Sequence, residues 1–454
     1  MRGPFAILSA SLFLSWASTP LLAESPRPDP AAVERGRIAL TQTGHLKPAW
    51  KRGSVEAIAK LWGGTTPDAK GDPDGFAREF NLRYGLHPAP YPDDGLPMGL
   101  RVGVTKAGTR EGIQIDCMVC HGGSIGGTSF VGLGNTTLDL KGLLDDLERA
   151  EGRRPPFAMF TLNSTRGTVN AGQIAALLLS LRNPDFSERK FPLPLGANLP
   201  EMDVPAWWHL KRKATMYCDG RTPAGSVRTN MQFVMGEKSL DELKALEPAF
   251  RDVQAYLLSL EPPKYPFPID EASAGRGRSA FNRACASCHG TYGAGGEYPD
   301  RIVELDVIGT DRARAEGLSK GLVSHYNQTW FGELEPADPV MVGYQAPPLD
   351  GIWATAPYLH NGSVPTLHAV LNSAERPKVF RKPTTTDFAN YDRTHVGWRV
   401  EPLEGVPNLR AMSTLEARRI YDTARFGLGN GGHTFGDKLG EPERMDVIEY
   451  LKTL

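Results

Sequence analysis

The chain has 454 residues, of which 40% are hydrophobic and 23% are charged, so it can form two or three globular domains with ordinary cores. Its 51 basic and 52 acidic side chains almost cancel and leave a formal net charge of −1. This balance argues against sequence-independent binding to nucleic acid, because such binding requires a strongly basic surface.

The first 23 residues have the pattern of a secretory signal peptide. Arg2 supplies the positive start, residues 5–17 are mainly apolar, and Leu21-Leu22-Ala23 ends on a small residue that suits cleavage. The apolar run is too short for a membrane span, and no later run reaches about 18 apolar residues. We therefore predict a periplasmic or secreted protein without a membrane span in its mature chain. An uncleaved N-terminal anchor is the alternative.

Four of the five cysteines lie in two motifs with the same spacing, C-x-x-C-H. This is the attachment motif of c-type haem, in which two thiols form thioethers with one porphyrin and the adjacent histidine ligates the iron. We therefore predict two covalently attached haem c groups. The residues that hold them are Cys117, Cys120 and His121 for the first haem, and Cys285, Cys288 and His289 for the second.

Other uses of these cysteines fit the sequence less well. A zinc site would need the two cysteine pairs to meet, although they lie in opposite halves of the chain. A redox dithiol would not need a histidine directly after each pair. The fifth cysteine, Cys218, is interpreted as an inert buried thiol, and an unusual iron ligand is the alternative.

The sequence of one short amphipathic helix occurs twice in the chain. The stretches RDVQAYLLSL (251–260) and MDVIEYLKTL (445–454) share five residues at the same offsets, and each has apolar residues at i, i+3, i+4 and i+7. Each stretch follows one C-x-x-C-H motif, and a proline-rich linker at 262–268 separates the two halves. Chance similarity between two amphipathic helices is the alternative. We predict a mainly α fold with two cytochrome c-like haem domains and long irregular loops, divided into a signal peptide (1–23), an N-terminal haem domain (24–265) and a C-terminal cytochrome c domain (266–454).

The approaches to the two motifs differ. Residues 272–283 suit a helix that leads to Cys285, as in a small cytochrome c. Residues 112–116 favour an extended chain before Cys117, and the glycines after His121 allow backbone to lie close to a porphyrin. This asymmetry predicts that the two haems have different tasks.

Three further blocks resemble one family. The stretch GIWATAPYLHNGSVPTL (351–367) resembles the A-P-Y-x-H-x-G-S-x-x-T-L segment of bacterial di-haem cytochrome c peroxidases, and in its longer form the rubber oxygenases. The stretches GNGGH (429–433) and VPAWW (204–208) resemble the same group. The resemblance implies electron transfer between two c-type haems and oxidising chemistry with peroxide or dioxygen at one of them. Rubber oxygenases are considerably longer, so polyisoprene cleavage is not carried over.

The resemblance also suggests the ligands on the free faces of the irons. It implies a distal histidine in a glycine-rich loop, which makes His433 the predicted sixth ligand of the C-terminal iron. An ordinary histidine of a surface loop is the alternative for His433, and His360 is the second candidate ligand. The methionine that the peroxidases place after the histidine segment is missing from residues 370–378, which favours ligation by two histidines. For the N-terminal iron we predict an open or weakly ligated face. His209, in a basic stretch that suggests a polar surface, is the alternative ligand.

The adjacent tryptophans Trp207 and Trp208 are candidates for an electron bridge. An indole can lie between two porphyrins, and by resemblance Trp208 is the predicted catalytic residue; ordinary aromatic packing is the alternative. The leading hypothesis is an exported di-haem oxidoreductase with a small redox protein, or another electron donor or acceptor, as its partner. A plain electron carrier with two six-coordinate irons, and a redox or gas sensor domain, are the other hypotheses.

Overall fold

The structure is a computed structural model that describes residues 28–63, 67–105, 108–155, 165–236, 238–338 and 343–454. Within these ranges 41% of the residues are helical and 12% are in strands. The predicted mainly α fold with two cytochrome c-like haem domains is therefore wrong, because the chain is a mixed α/β fold with several small sheets. Strands of two to four residues are too short for their alternating pattern to be recognised in a sequence.

Helices and short strands are interspersed along the described part of the chain. The helices are α1 (Pro30–Gln42), α2 (Arg52–Ala57), α3 (Pro73–Tyr84), α4 (Met118–His121), α5 (Leu140–Ala150), α6 (Ala171–Ser180), α7 (Val227–Met231), α8 (Leu240–Ser259), α9 (Glu271–Ala284), α10 (Ala286–His289), α11 (Leu305–Ile308), α12 (Ala313–Glu316), α13 (Lys320–Gln328), α14 (Leu367–Leu371), α15 (Thr414–Arg418) and α16 (Glu441–Leu451). The strands are β1 (Trp50–Lys51), β2 (Leu100–Gly103), β3 (Gly112–Ile115), β4 (Gly122–Ile125), β5 (Thr128–Val131), β6 (Thr215–Met216), β7 (Thr222–Pro223), β8 (Ile302–Glu304), β9 (Gly343–Gln345), β10 (Val379–Arg381), β11 (Tyr391–Asp392), β12 (Gly397–Trp398), β13 (Glu401–Pro402) and β14 (Ile420–Asp422).

Two small antiparallel sheets flank the first haem motif. Strand β3 is the centre of a sheet with the order β1-β3-β2, in which Ile113 lies opposite both Trp50 and Val102. Strands β4 and β5 form a hairpin whose turn residues, Gly126 and Gly127, both have positive φ. Two such residues suit the tight turns whose twist matches that of the strands. The predicted extended approach to Cys117 is thus confirmed by β3.

The repeated helix is confirmed in both places, within α8 and within α16. Helix α8 packs against α1, and α16 packs against α9. In each pair a glycine of the earlier helix, Gly36 or Gly277, lies against the backbone carbonyl of an aspartate in the repeat, Asp252 or Asp446. The side chains of the same aspartates form ion pairs of 2.7 Å with the arginines that precede the glycines.

The two halves share hydrophobic cores. The largest cluster combines Ile125 and Trp208 from the first half with Phe281, Trp353 and Tyr450 from the second. A further cluster joins α6 and α8 to residues around α13. The proposed boundary near residue 265 lies in the segment between α8 and α9, which forms neither helix nor strand. The division into domains stays a prediction.

The predicted signal peptide lies outside the described residues. Among the residues that are described, no helix combines the length and the apolar character needed to cross a membrane.

The close crossing of α9 and α16 predicts the effect of a single methyl group. A Cβ added at Gly277 would overlap the carbonyl oxygen of Asp446, so Gly277→Ala should reduce stability by about 1–3 kcal/mol through overpacking. Gly275, on the same helix, has open space around its missing Cβ. Gly275→Ala should therefore be neutral or stabilising by about 0.5–1 kcal/mol. Urea denaturation followed by circular dichroism measures both effects, and equal midpoints for the two variants would contradict this account of the crossing.

Candidate haem centres

The N-terminal C-x-x-C-H motif lies between the two small sheets. It follows β3, forms the turn of helix α4, and passes directly into β4. The Asp116 carboxylate accepts a hydrogen bond of 2.8 Å from the second amide after it and pairs with buried Arg101 at 2.7 Å. This anchors the start of the turn. Residues i, i+3 and i+4 of a helix share one face. Cys117, Cys120 and His121 can therefore contact the same flat group.

The C-terminal motif continues from a long helix. The amide of Cys285 donates to the carbonyl of Phe281 at 2.8 Å, so the motif follows α9 without a break, as predicted. Helix α10 carries Cys288 and His289 and ends at Gly290, which has a φ of 80°. The two motifs thus have the same local turn and different supports, strands in the first and a helix in the second.

His289 is held in one orientation and one tautomer. Its Nδ1 lies 2.9 Å from the backbone carbonyl of Pro347. A carbonyl can only accept, so Nδ1 carries the proton and Nε2 keeps its lone pair for a metal. The hydroxyl of Tyr292 donates to the carbonyl of His289 at 3.0 Å and accepts from the amide of Leu349 at 2.7 Å. Both the ring and the backbone of His289 are therefore fixed by the segment that follows β9.

The ring of His433 faces the ring of His289. The two ring centroids are 6.1 Å apart and the rings are inclined by 61°. Two metal–imidazole bonds of about 2 Å each separate the bonding nitrogens by roughly 4 Å, which brings the ring centroids to about 6 Å. The Nδ1 of His433 is buried without a hydrogen-bond partner among the described residues. The spacing of this pair would therefore suit two imidazoles that hold one haem iron between them.

Burial also favours the ligating form of these imidazoles. It lowers the pKa of His433 to about 4, and the nearby His289 and Arg376 act in the same direction. Burial likewise lowers the pKa of His289, against the raising effect of the hydrogen bond to Pro347. Both rings are thus neutral at physiological pH, which is the form that binds metal.

The loop that carries His433 is fastened by the block that resembles the peroxidases. Asn361 donates from Nδ2 to the carbonyls of Gly427 at 3.0 Å and Gly429 at 2.9 Å, and Ser363 donates to Gly429 at 3.2 Å. From the other side the carboxylate of Asp311 accepts from the amide of Gly429 at 3.1 Å. The histidine–asparagine–glycine–serine stretch therefore holds the loop in place through Asn361 and Ser363.

The ring of His121 has a different neighbour. It stacks on the indole of Trp207 with a centroid distance of 4.2 Å and an angle of 18° between the planes. Burial lowers the pKa of His121 to about 3, and the backbone carbonyl of Pro205 opposes this effect. In the described part of the chain no histidine ring packs against His121 in the way that His433 packs against His289.

The adjacent Trp208 is in contact with the other half of the chain. It is 1% exposed, belongs to the shared core, and donates from Nε1 to the carbonyl of Asp350 at 2.8 Å. His209 is bonded to the same carbonyl at 2.8 Å and is buried. The expectation of a polar surface around His209 is therefore wrong. The role of Trp208 stays a prediction.

The cysteine thiols are unpaired. All five cysteines are free, and burial raises the pKa of Cys117 and Cys120 to about 12 and that of Cys285 to about 11. No group of three His, Cys, Asp or Glu side chains within the described ranges could hold a metal ion unaided. The donor set thus fits thioether attachment of haem better than a zinc site.

The remaining candidates lie in other surroundings. His360 stacks on Tyr344 with centroids 4.4 Å apart, and its buried Nε2 has no hydrogen-bond partner among the described residues. Cys218 is partly buried, and burial raises the pKa of its thiol to about 12, as an inert thiol requires.

Sequence reasoning missed several contributors. Pro347 carries no chemical signal, because any residue offers a carbonyl. Which of the two adjacent tryptophans stacks on His121 depends on tertiary packing. A search of the helices before each motif would have found one signal, since Arg-Gly-Arg occurs at 35–37 and again at 276–278, where the glycines meet the repeated helices.

Comparisons with known proteins match part of the chain. Residues 343–381, which include β9, the peroxidase-like block and β10, match the family described as RoxA-like, cytochrome c-like. An uncharacterized protein of Sinorhizobium fredii, y4iM, is 30% identical over 294 residues, which are 55% of this chain and 64% of the relative. A second uncharacterized protein of that organism, y4iJ, is 30% identical over 263 residues, 43% of this chain and 41% of the relative. The aligned part is thus less than two thirds of either relative.

The matched segment contains Pro347, whose carbonyl accepts from His289, and three residues that hold the His433 loop, namely Asn361, Ser363 and Arg376. A cytochrome c-like domain implies covalently bound haem c, which agrees with the C-x-x-C-H motifs and the geometry of His289. Residues 343–381 therefore carry a RoxA-like, cytochrome c-like domain, and this supports a cytochrome c of the RoxA-like group.

Proposed function

We propose that this chain is an exported cytochrome with two haem c groups that acts as a peroxidase- or oxygenase-like oxidoreductase. The single observation that carries the proposal is the contrast between the two motif histidines. His289 faces a second imidazole at a centroid distance of 6.1 Å, whereas His121 stacks on an indole, which is no iron ligand. The C-terminal site would thus be six-coordinate and suited to electron relay, and the N-terminal site would have a free face.

A bound haem c supplies reversible electron transfer and, where one face is free, a position for peroxide or dioxygen. The chain would hold the groups through Cys117, Cys120, Cys285 and Cys288. His289 and His433 would be the axial ligands of the second group. With a half-buried imidazole on each side, that site would have no position left for an oxidant, so the reaction with peroxide or dioxygen would take place at the N-terminal site.

A continuous connection links the two motif histidines. The ring of His121 stacks on Trp207, and the next residue, Trp208, donates to the carbonyl of Asp350 at 2.8 Å. Three residues earlier along the backbone, the carbonyl of Pro347 accepts from the ring of His289. We infer that electrons pass along this connection, with both tryptophans taking part. An external donor, such as a small redox protein, would supply the electrons that peroxide or dioxygen consumes.

The second candidate function is a non-catalytic electron carrier in which both irons are six-coordinate. It would need a further ligand near His121. His87 is bonded to Ser124, three residues after His121, but both of its ring nitrogens are occupied, by Ser124 at 2.9 Å and by Asn135 at 3.2 Å. This occupancy favours the oxidoreductase.

The ligand proposal predicts the effect of removing His433. In His433→Ala the iron held by His289 loses its second imidazole, so the low-spin signal in the electron paramagnetic resonance spectrum should become high-spin. Added imidazole should restore it. His360→Ala, which removes the rival candidate, should keep the low-spin signal. A low-spin signal that persists in His433→Ala and disappears in His360→Ala would refute the assignment.

The electron connection predicts slower internal transfer when either tryptophan is replaced. Trp207→Phe loses part of the stacked contact, and Trp208→Phe loses the indole hydrogen bond to Asp350. Each should slow equilibration between the two haems about tenfold, equivalent to about 1.4 kcal/mol in the barrier. Flash photolysis of carbon monoxide from the half-reduced protein measures this rate.

Trp398 provides a matched control for the tryptophan variants. It is buried and donates its indole N–H to the carbonyl of Ala356 at 2.8 Å, a residue that is not part of the connection. Trp398→Phe should leave the rate unchanged. Equal slowing in all three variants would show a general loss of packing and would count against the connection.

A further inference from the structure

The guanidinium of Arg376 is completely engaged by main-chain carbonyls. The side chain lies between α14 and β10, and the residue is 9% exposed. A guanidinium has five N–H donors. Here Nε donates to one carbonyl at 2.9 Å, Nη1 donates to two at 2.8 and 2.6 Å, and Nη2 donates to two at 3.1 and 3.2 Å. In that order the acceptors are Ala369, Asn430, Gly432, Val370 and His433.

Three of these acceptors belong to the loop that carries His433. This loop reads Gly-Asn-Gly-Gly-His from residue 429, and glycines lose more conformational freedom than other residues when they are ordered. The backbone at the end of the loop is also strained, because His433 has a φ of 46°, in a region that residues other than glycine seldom adopt. Such a conformation persists only where the surroundings hold it.

Both backbone groups of His433 are held from outside the loop. Its amide donates to the carbonyl of Ile308 at 2.7 Å, and its carbonyl accepts from Arg376 at 3.2 Å. Fixing the two peptide groups on either side of the Cα atom fixes the direction of the Cβ, and therefore the side from which the imidazole enters.

We propose that Arg376 is the positioning residue that holds His433 opposite His289, by tying three carbonyls of its loop to the helix end at Ala369 and Val370. The inference rests on the proposed function, since it assigns a role relative to an iron between the two histidines. Lysine could keep the charge but could not replace the planar set of five donors. The hydrogen-bonding pattern, and not the charge alone, is therefore the essential feature.

Other contacts should keep the loop attached when Arg376 is changed. Asn430 donates from Nδ2 to the carbonyl of Pro377 at 2.9 Å, and Ser373 donates from its amide and hydroxyl to Asp437 at 2.8 and 2.6 Å. These contacts fasten the two ends of the loop without Arg376. A variant of Arg376 should thus fold and keep the loop attached, but the ring of His433 should no longer be held opposite His289.

The experiment compares Arg376→Met, Arg376→Lys and His433→Ala with the wild-type holoprotein. The readouts are the low-spin resonance of the oxidised protein and the rate at which carbon monoxide binds the reduced protein. In Arg376→Met we expect most of the C-terminal low-spin signal to be lost and the carbon monoxide rate at that site to rise about tenfold or more, with 1.4 kcal/mol per tenfold step. Added imidazole should restore the low-spin signal, because a free ligand does not depend on the loop.

Arg166 is the matched control. It is buried, and its guanidinium donates to the carbonyls of Leu82, Arg83 and Thr137, far along the chain from the His433 loop. Arg166→Met should reduce stability but leave the C-terminal low-spin signal and its carbon monoxide rate as in the wild type. This separates the loss of any buried arginine from the loss of this one.

The outcomes separate the two proposals. If His433→Ala loses the signal while Arg376→Met keeps the wild-type signal and rate, the role of Arg376 is refuted and the proposed ligand stands. If His433→Ala keeps the signal, the proposed ligand fails and the role of Arg376 fails with it. Should Arg376→Met not fold, Arg376→Lys decides: a high-spin fraction that imidazole reverses supports the proposal, and a wild-type spectrum overturns it.

Discussion

The hydrogen bond from His289 to the carbonyl of Pro347 is the contact on which the arrangement of the candidate centres depends. It selects the tautomer of His289 and leaves Nε2 free to bind a metal. The same short segment holds the backbone of His289 through Tyr292 and accepts the indole of Trp208 on Asp350. One stretch of four residues thus orients the C-terminal motif and joins it to the first half.

On the opposite side of this centre, a flexible loop must be held in place. A glycine-rich loop can reach His289 easily, but ordering it costs conformational entropy. The structure offsets that cost with directed hydrogen bonds rather than with apolar burial, through Asn361, Ser363, Asp311 and Arg376. Three of these four residues, all except Asp311, lie in the segment that matches the RoxA-like family. The matched segment is therefore a scaffold for a loop outside itself.

The same type of helix packing occurs in both halves of the chain, in different surroundings. In each, an arginine–glycine pair on a helix meets an aspartate on the repeated helix, so backbone approaches backbone closely and an ion pair forms beside it. Around this common helix pair, strands lead to Cys117 and a helix leads to Cys285. The first imidazole then meets an indole and the second meets an imidazole. This difference is the basis of the proposed division between reaction and electron relay.

The sequence by itself determined what depends on neighbouring residues. The C-x-x-C-H spacing, the helix before Cys285, the extended approach to Cys117 and the repeated helix are local patterns, and the structure has each of the predicted elements. The small sheets escaped prediction because strands of two to four residues carry no visible period. The resemblance suggested His433 as the partner of His289, and the structure has the two rings facing each other. Only the tertiary structure decided that Trp207 rather than Trp208 stacks on His121, and that Arg376 holds the loop. The physical reason is that these contacts join distant segments, and their choice depends on how the shared cores pack and not on the spacing of residues along the chain.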